Sequence, residues 1–151
     1  FIYLIISFVC FCLYIYNFLN LYYFNLLIFS VICFDTASYV TGILIGKTYI
    51  LKKISPKKTL EGSIGGLFFT NLIYFLYQYI FKSSYELNEF ILINLIILFS
   101  FLGDLIQSFF KRQNNLKNSS NFLPGHGGFF DRFDSFISSI FLLYFYSYFY
   151  L

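Results

Sequence analysis

Charge is what this sequence has least of. Of its 151 residues only 10 are Lys or Arg and 7 are Asp or Glu, 11% of the chain against 59% hydrophobic. A soluble domain of this size covers its surface with roughly a quarter charged residues. A water-soluble globular fold is therefore excluded, and the chain belongs in a bilayer. No Met opens the sequence and no basic stretch precedes the first apolar run. A secretory signal peptide is thus not indicated, and the start is expected to be truncated. The three cysteines, Cys10, Cys12 and Cys33, are odd in number, lie in apolar runs and form no C-x-x-C pair, which argues against both a disulfide framework and a zinc site. Trp and Met are absent, yet there are 24 Phe and 15 Tyr. These aromatics are spread through every apolar run with Ile, Leu and Asn. They read as the imprint of an A- and T-rich genome, and no nucleic-acid partner is expected.

Residues 1–34 carry no charge. As one helix they would run about 51 Å, well beyond the roughly 30 Å hydrocarbon core, so the run is two spans, about 1–18 and 21–46. Asn17 and Asn20 mark the turn, and the second helix is expected to loosen at Gly42 and Gly46. Lys47, Lys52, Lys53, Lys57 and Lys58 then fall within twelve residues around Pro56, which reads as an aqueous loop. Ser63 to Phe81 is an uncharged run long enough to span. Lys82, Ser83, Ser84, Glu86 and Glu89 form a short polar turn, and a fourth helix runs from Phe90 through Asp104 to near Phe110. A second polar loop covers about 111–130, and Ser135 to Leu151 closes the chain. The expected fold is all-α: a polytopic integral membrane protein of about five transmembrane helices with two cytoplasmic polar loops, residues 1–151 forming one domain. If the helices alternate, those loops share a side and hold nine of the ten Lys and Arg residues. The positive-inside rule makes that side cytoplasmic. There is no internal repeat.

Asp35 lies about fourteen residues into an apolar helix, where a carboxylate costs about 2.5–3.5 kcal/mol on insertion scales. It either lines a polar pocket with Thr36, Ser38 and Thr41 or is satisfied by a neighbouring helix. Asp104 shares a helix face with Gln107, Ser108 and Lys111 at i+3, i+4 and i+7. Asp131 and Asp134, three apart at the start of the fifth helix, share another face, while Arg132 points elsewhere. Three carboxylates can therefore meet at the mouths of two consecutive helices, and hard oxygen ligands of this kind suit Mg²⁺. The helix dipole favours an acid at a helix start, which accounts for Asp131 alone. Between the acids, Leu123-Pro124-Gly125-His126-Gly127-Gly128 is a glycine-rich turn whose backbone N–H groups can cradle a phosphate, with Lys111, Arg112, Lys117 and Arg132 beside it.

Taken together, Ser108-x-Phe110-Lys111-Arg112, four residues, Lys117, five residues, and then Leu123-Pro124-x-His126-Gly127-Gly128-x-x-Asp131-Arg132-x-Asp134 closely resemble the signature of the phosphatidate cytidylyltransferases, or CDP-diacylglycerol synthases. Asp35-Thr36-x-x-Tyr39 with Gly42 and Gly46-Lys47 resembles the same family. So do Ser55-Pro56-Lys57-Lys58-Thr59-x-Glu61-Gly62 and Gly103-Asp104-Leu105. The likeness runs from about residue 35 to residue 135. The chain departs from the family at Asn118, where Asp is usual, and at Gln107, where Glu is usual; each swap removes a negative charge near the site, though an amide still hydrogen-bonds. Family members are also typically longer at the N-terminus.

The resemblance implies transfer of a cytidylyl group from CTP to phosphatidic acid, giving CDP-diacylglycerol and pyrophosphate in phospholipid biosynthesis, at a multi-pass bacterial inner membrane with the active site on the cytoplasmic face. Mg²⁺ is the implied cofactor, with room for a second cation, and a homodimer is left open. On this reading Asp104 and Asp131 are metal ligands, and Asp104, Asp131, Asp134 and Lys111 form the catalytic set. Substrate binding falls to Asp35, Ser55, Lys57, Lys58, Thr59, Glu61, Ser108, Arg112, Lys117, His126, Gly127, Gly128 and Arg132. Two other readings stand beside it: a CTP-dependent transferase with a different lipid phosphate as acceptor, and a non-catalytic relative acting as a membrane scaffold.

Overall fold

The computed structural model of the chain describes residues 2–52, 54–81, 86–114 and 130–150, without the side chains of Ile2, Pro56, Lys57 and residues 130–133. Five helices and one hairpin follow in order: α1 (Ile2–Asn17), α2 (Leu21–Ile45), β1 (Tyr49–Leu51), β2 (Ser55–Thr59), α3 (Leu60–Phe81), α4 (Leu87–Gln113) and α5 (Phe130–Tyr150). Of these, α2, α3 and α4, at 25, 22 and 27 residues, are long and apolar enough to cross a membrane. α1 is apolar but has only 16 residues, and α5 carries Asp131, Arg132 and Asp134 in its opening turns. The protein is an all-α membrane protein: the described residues form five helices, three of them long and apolar enough to span where about five spans were expected.

The helices stop and start for local reasons. The Asn20 side chain accepts the Tyr22 N–H at 3.0 Å and caps α2, and the Tyr14 hydroxyl donates to Asn20 O at 2.8 Å, which holds the α1–α2 turn closed. Gly42 does not loosen α2, as the sequence suggested. It stays helical, and α2 ends at Ile45 with Gly46 as its cap. The segment read as an aqueous loop is an antiparallel hairpin pairing Tyr49 with Thr59 and Leu51 with Ser55. α3 begins at Leu60, three residues before the expected Ser63, because the Thr59 hydroxyl accepts the Gly62 N–H at 3.2 Å. Glu89, expected in a polar turn, lies inside α4 at 2% exposure. α5 starts at Phe130, so Asp131 and Asp134 fall in its first turns as expected, ahead of the uncharged run that begins at Ser135.

α2 and α3 pack antiparallel through small residues, as membrane helices do when backbones approach closely. A methyl group at Gly62 would lie 2.8 Å from Ser38 O, one at Gly65 would lie 2.7 Å from Thr41 Cβ, and one at Gly66 would lie 2.8 Å from Ser38 Cβ. The Thr41 hydroxyl also donates to Gly62 O at 3.1 Å. α4 and α5 are joined the same way, with Gly103 against Ser138 and the Ser138 hydroxyl donating to Phe99 O at 2.8 Å. The apolar core has two parts. One gathers Tyr14, Leu27, Val31, Leu92, Ile96, Ile140 and Leu143 from α1, α2, α4 and α5. The other joins Phe34, Tyr74, Ile93 and Ile97 from α2, α3 and α4. Asn71 of α3 and Asn94 of α4 exchange amide hydrogen bonds at 3.1 and 3.2 Å. The three cysteines are free.

Candidate active site

The C-terminal half of α2, the start of α3, the C-terminal half of α4 and the start of α5 come together at one end of the bundle. There, Phe34, Asp35, Ser38 and Tyr39 of α2, Lys58 and Thr59 of β2, Ser63 of α3, and Phe101 and Asp104 of α4 line a cavity of about 200 Å³. A larger cavity of about 270 Å³ in the opposite half is lined by Tyr22, Asn25, Leu26, Phe29, Tyr74, Tyr77 and Ile93. Among the described residues its lining holds no ionisable acid or base besides tyrosines, and the charged side chains gather in the smaller one.

Asp104 is the hub of that cavity. Its Oδ2 meets the Lys58 ammonium at 2.6 Å, both side chains about a quarter exposed, and its Oδ1 accepts the Ser108 hydroxyl at 3.3 Å, one turn further along α4. Asp134 of α5 stands close enough to Asp104 and Lys111 for their charges to act on it. Asp35 of α2 likewise feels Asp104, Lys58 and Ser135. Asp35 and Asp104 therefore share the Lys58 ammonium at this cavity, and Asp134 stands beside Asp104 with Lys111. The arrangement is held by the hairpin, which carries Lys58 in from outside the helices. Glu61 secures that hairpin: its carboxylate accepts the Lys47 and Thr48 N–H groups, each at 3.1 Å, and the Thr48 hydroxyl at 2.7 Å. Arg112 ties the end of α4 to the same unit by donating to Ile54 O at 3.3 Å.

Of the residues singled out in the sequence, Asp35, Lys58 and Thr59 line the cavity with Asp104, while Ser108, Lys111 and Asp134 adjoin it. Ser38 joins Asp35 there. Thr36 bonds back to Ile32 O at 2.7 Å, and Thr41 is buried against α3, so neither shares the pocket. Ser55 opens β2, half-buried. Glu61 and Arg112 brace the hairpin. Asp131 and Arg132 fall in the first turn of α5, but their side chains, like that of Lys57, lie outside the described set. Lys117, His126, Gly127 and Gly128 lie outside the described residues altogether. Sequence reasoning missed Phe101, Tyr39 and Ser63 as lining residues. Phe101 was open to detection, since it precedes Asp104 by three positions and so shares its face.

Among the described residues no three His, Cys, Asp or Glu side chains stand close enough to form a complete metal cage. Mg²⁺ needs less, since one or two carboxylates suffice when water and phosphate oxygens complete the shell. Asp104 on the cavity wall and Asp134 beside it, close enough for their charges to interact, fit that requirement.

Fold and site together define an all-α membrane protein with a mixed-charge pocket at one end of its helices. A sequence model of the cytidylyltransferase family matches residues 1–150. Phosphatidate cytidylyltransferase of Staphylococcus aureus (strain COL) is 43% identical over 106 residues, which cover 68% of this chain and 40% of that protein. Its counterpart in Staphylococcus haemolyticus is also 43% identical over 106 residues, with the same coverage, and that of Staphylococcus epidermidis is 40% identical over 104. The chain belongs to the cytidylyltransferase family. It spans about two fifths of the length of the curated relatives it matches.

Proposed function

We propose that this chain carries the catalytic part of an enzyme that transfers a cytidylyl group from CTP to phosphatidic acid, releasing pyrophosphate and leaving CDP-diacylglycerol in the membrane. The observation that carries the reading is the convergence of Asp35, Asp104 and Lys58 on one cavity, with Asp134 and Lys111 beside it, at one end of apolar helices. Its chemistry suits the reaction. A phosphate on a lipid must meet the α-phosphorus of a nucleotide, so two polyanions have to be brought together at the headgroup plane. Lys58 and Lys111, with Arg112, Lys117 and Arg132 nearby in sequence, would hold phosphates. Gly127 and Gly128 would let the triphosphate approach the backbone. Asp104 with Asp134 or Asp131 would hold Mg²⁺, which supplies charge neutralisation and polarisation of the transferring phosphorus when bound. No strong general base is required, because the attacking phosphate is already ionised near neutral pH. Asp35 would order the acceptor side of the cavity from α2. The bacterial relatives suit a bacterial cell membrane, and the positive-inside rule favours a cytoplasmic cavity.

Purified full-length protein given radiolabelled CTP and a series of lipid phosphates should label phosphatidic acid in a Mg²⁺-dependent way. Preference for another lipid phosphate would shift the acceptor assignment, and no labelling of any lipid would favour the scaffold reading. Asp104→Asn should abolish the transfer with little loss of membrane insertion. Near-normal turnover in that variant would overturn the role of Asp104.

A further inference from the structure

Both carboxylate oxygens of Asp104 are engaged, Oδ1 by the Ser108 hydroxyl at 3.3 Å and Oδ2 by the Lys58 ammonium at 2.6 Å. Each oxygen keeps a second lone pair, but a cation that takes Asp104 as a ligand must sit beside these partners. A hydroxyl can rotate and stay close by, but an ammonium cannot share a carboxylate with a divalent ion without strong repulsion. Lys58 has freedom to move. Its ammonium, while paired with Asp104, lies 4.6 Å from the centre of the Phe101 ring, a contact that its stem can keep when the head swings away. Its four-carbon stem is flexible, its side chain keeps 23% exposure, and it borders a cavity of about 200 Å³. The backbone beneath it is fixed, because Glu61 and the cap at Thr59 hold the hairpin to α3.

We propose that Lys58 is an exchangeable counter-ion. It neutralises Asp104 while the pocket is empty, leaves Oδ2 when a divalent cation arrives, and transfers its charge to a substrate phosphate in the adjoining cavity. Without such a charge, Asp104 would face Asp35 and Asp134 unbalanced in an apolar bundle. The inference rests on the reading of this cavity as a site for metal and phosphate. It adds an order of events: metal alone binds weakly because it must break the Lys58 pair, and metal with nucleotide binds strongly because the released ammonium gains a phosphate. A purely structural brace would have neither property.

Binding of Mn²⁺, measured by the loss of its free electron-paramagnetic-resonance signal on full-length protein in nanodiscs, tests this with and without CTP. Lys58→Met, which keeps the stem against Phe101, should bind Mn²⁺ about tenfold more tightly than wild type without CTP, the scale expected when a charged hydrogen bond stops competing. The tightening caused by CTP should shrink by a similar factor. Lys58→Gln should follow Lys58→Met, and Lys58→Arg should stay near wild type. Equal Mn²⁺ affinity in wild type and both neutral variants, each shown to be folded by its melting transition, would overturn the exchange while leaving the metal site standing. Mn²⁺ binding unchanged by Asp104→Asn would instead remove the metal assignment, and the exchange with it.

Discussion

Replacing Gly103 by alanine places a methyl group where α5 already stands. The new Cβ would lie 2.6 Å from Ser138 Cβ and 2.9 Å from Asp134 O, whereas non-bonded carbons settle at about 3.5–4.0 Å. The two helices would have to separate by about 1 Å, and overpacking of this kind costs about 1–3 kcal/mol. The Ser138 hydroxyl, which donates to Phe99 O at 2.8 Å across the same seam, would be stretched, adding about 1 kcal/mol. Together these amount to about 2–4 kcal/mol, or a melting temperature lower by about 5–15 °C for a chain of this size. Thermal unfolding in detergent measures it. The decisive control is Gly103→Ala with Ser138→Gly, which moves the methyl group from α5 to α4 and should recover about half the loss relative to Ser138→Gly alone. The Asp134 carbonyl contact remains and prevents full recovery. A single variant melting with wild type, or a double variant recovering nothing, would refute the close approach of α4 and α5 at this position. The same separation moves Asp104 away from Asp134, so on the proposed function CDP-lipid formation by Gly103→Ala should fall even at a temperature where it is folded.

Three further outcomes follow from the geometry. Asn71→Ala and Asn94→Ala should each destabilise the protein by about 0.6 kcal/mol, typical of a hydrogen bond between membrane helices, and the double variant should cost little more than either single; strict additivity in the cycle would show that the amides are not paired. Glu89→Ala removes the acceptor of Gln78 Nε2, now 2.6 Å away, and should cost about 1–3 kcal/mol while leaving turnover of the folded protein unchanged, because Glu89 packs with α3 at the end remote from Asp104. An unshifted melting curve would count against that cluster as a structural element. Glu61→Ala should speed amide hydrogen exchange in residues 47–59 and leave the exchange of α4 untouched, since Glu61 holds only the hairpin; unchanged exchange in the hairpin would contradict the clamp.

The helices were legible because long uncharged runs in a lipid-bound chain have little else to become, and the Asp104, Ser108 and Lys111 face was legible because helical spacing alone sets it. The hairpin was not. Its second strand, Ser55-Pro56-Lys57-Lys58-Thr59, is lysine-rich and holds a proline, so it reads as a solvated loop. What makes it a strand is the carboxylate of Glu61 reaching back across fourteen residues to the Lys47 N–H, a contact that sequence spacing does not reveal. Thr59 was a usable signal, being a good N-cap residue just before an apolar run, and it would have moved the start of α3 to Leu60. Asp35 was singled out for its cost in an apolar helix, but that cost says nothing about which neighbours satisfy it. Lys58, Asp104 and Ser135 meet it only because the hairpin, α4 and α5 come together against α2 there. Glu89 misled for the opposite reason: a charge near a turn suggests solvent, and here it is buried with Gln78 and Tyr74.

The bundle hides small and polar side chains, among them Ser30, Thr70, Ser100, Ser139 and Ser147, and turns large apolar ones outward, such as Phe8, Phe68 and Tyr79 at 66%, 61% and 79% exposure. The outer rings face acyl chains, where phenylalanine, leucine and isoleucine are nearly equivalent, so exchanges among them have little effect on the fold. The inner serines and glycines have no such latitude, because each extra carbon pushes a helix. Drift in nucleotide composition will therefore be tolerated on the outward-turned rings and stop at the seams, and it is the exposed phenylalanines and tyrosines, not buried ones such as Tyr14, Phe34 and Tyr74, on which selection has the weakest hold.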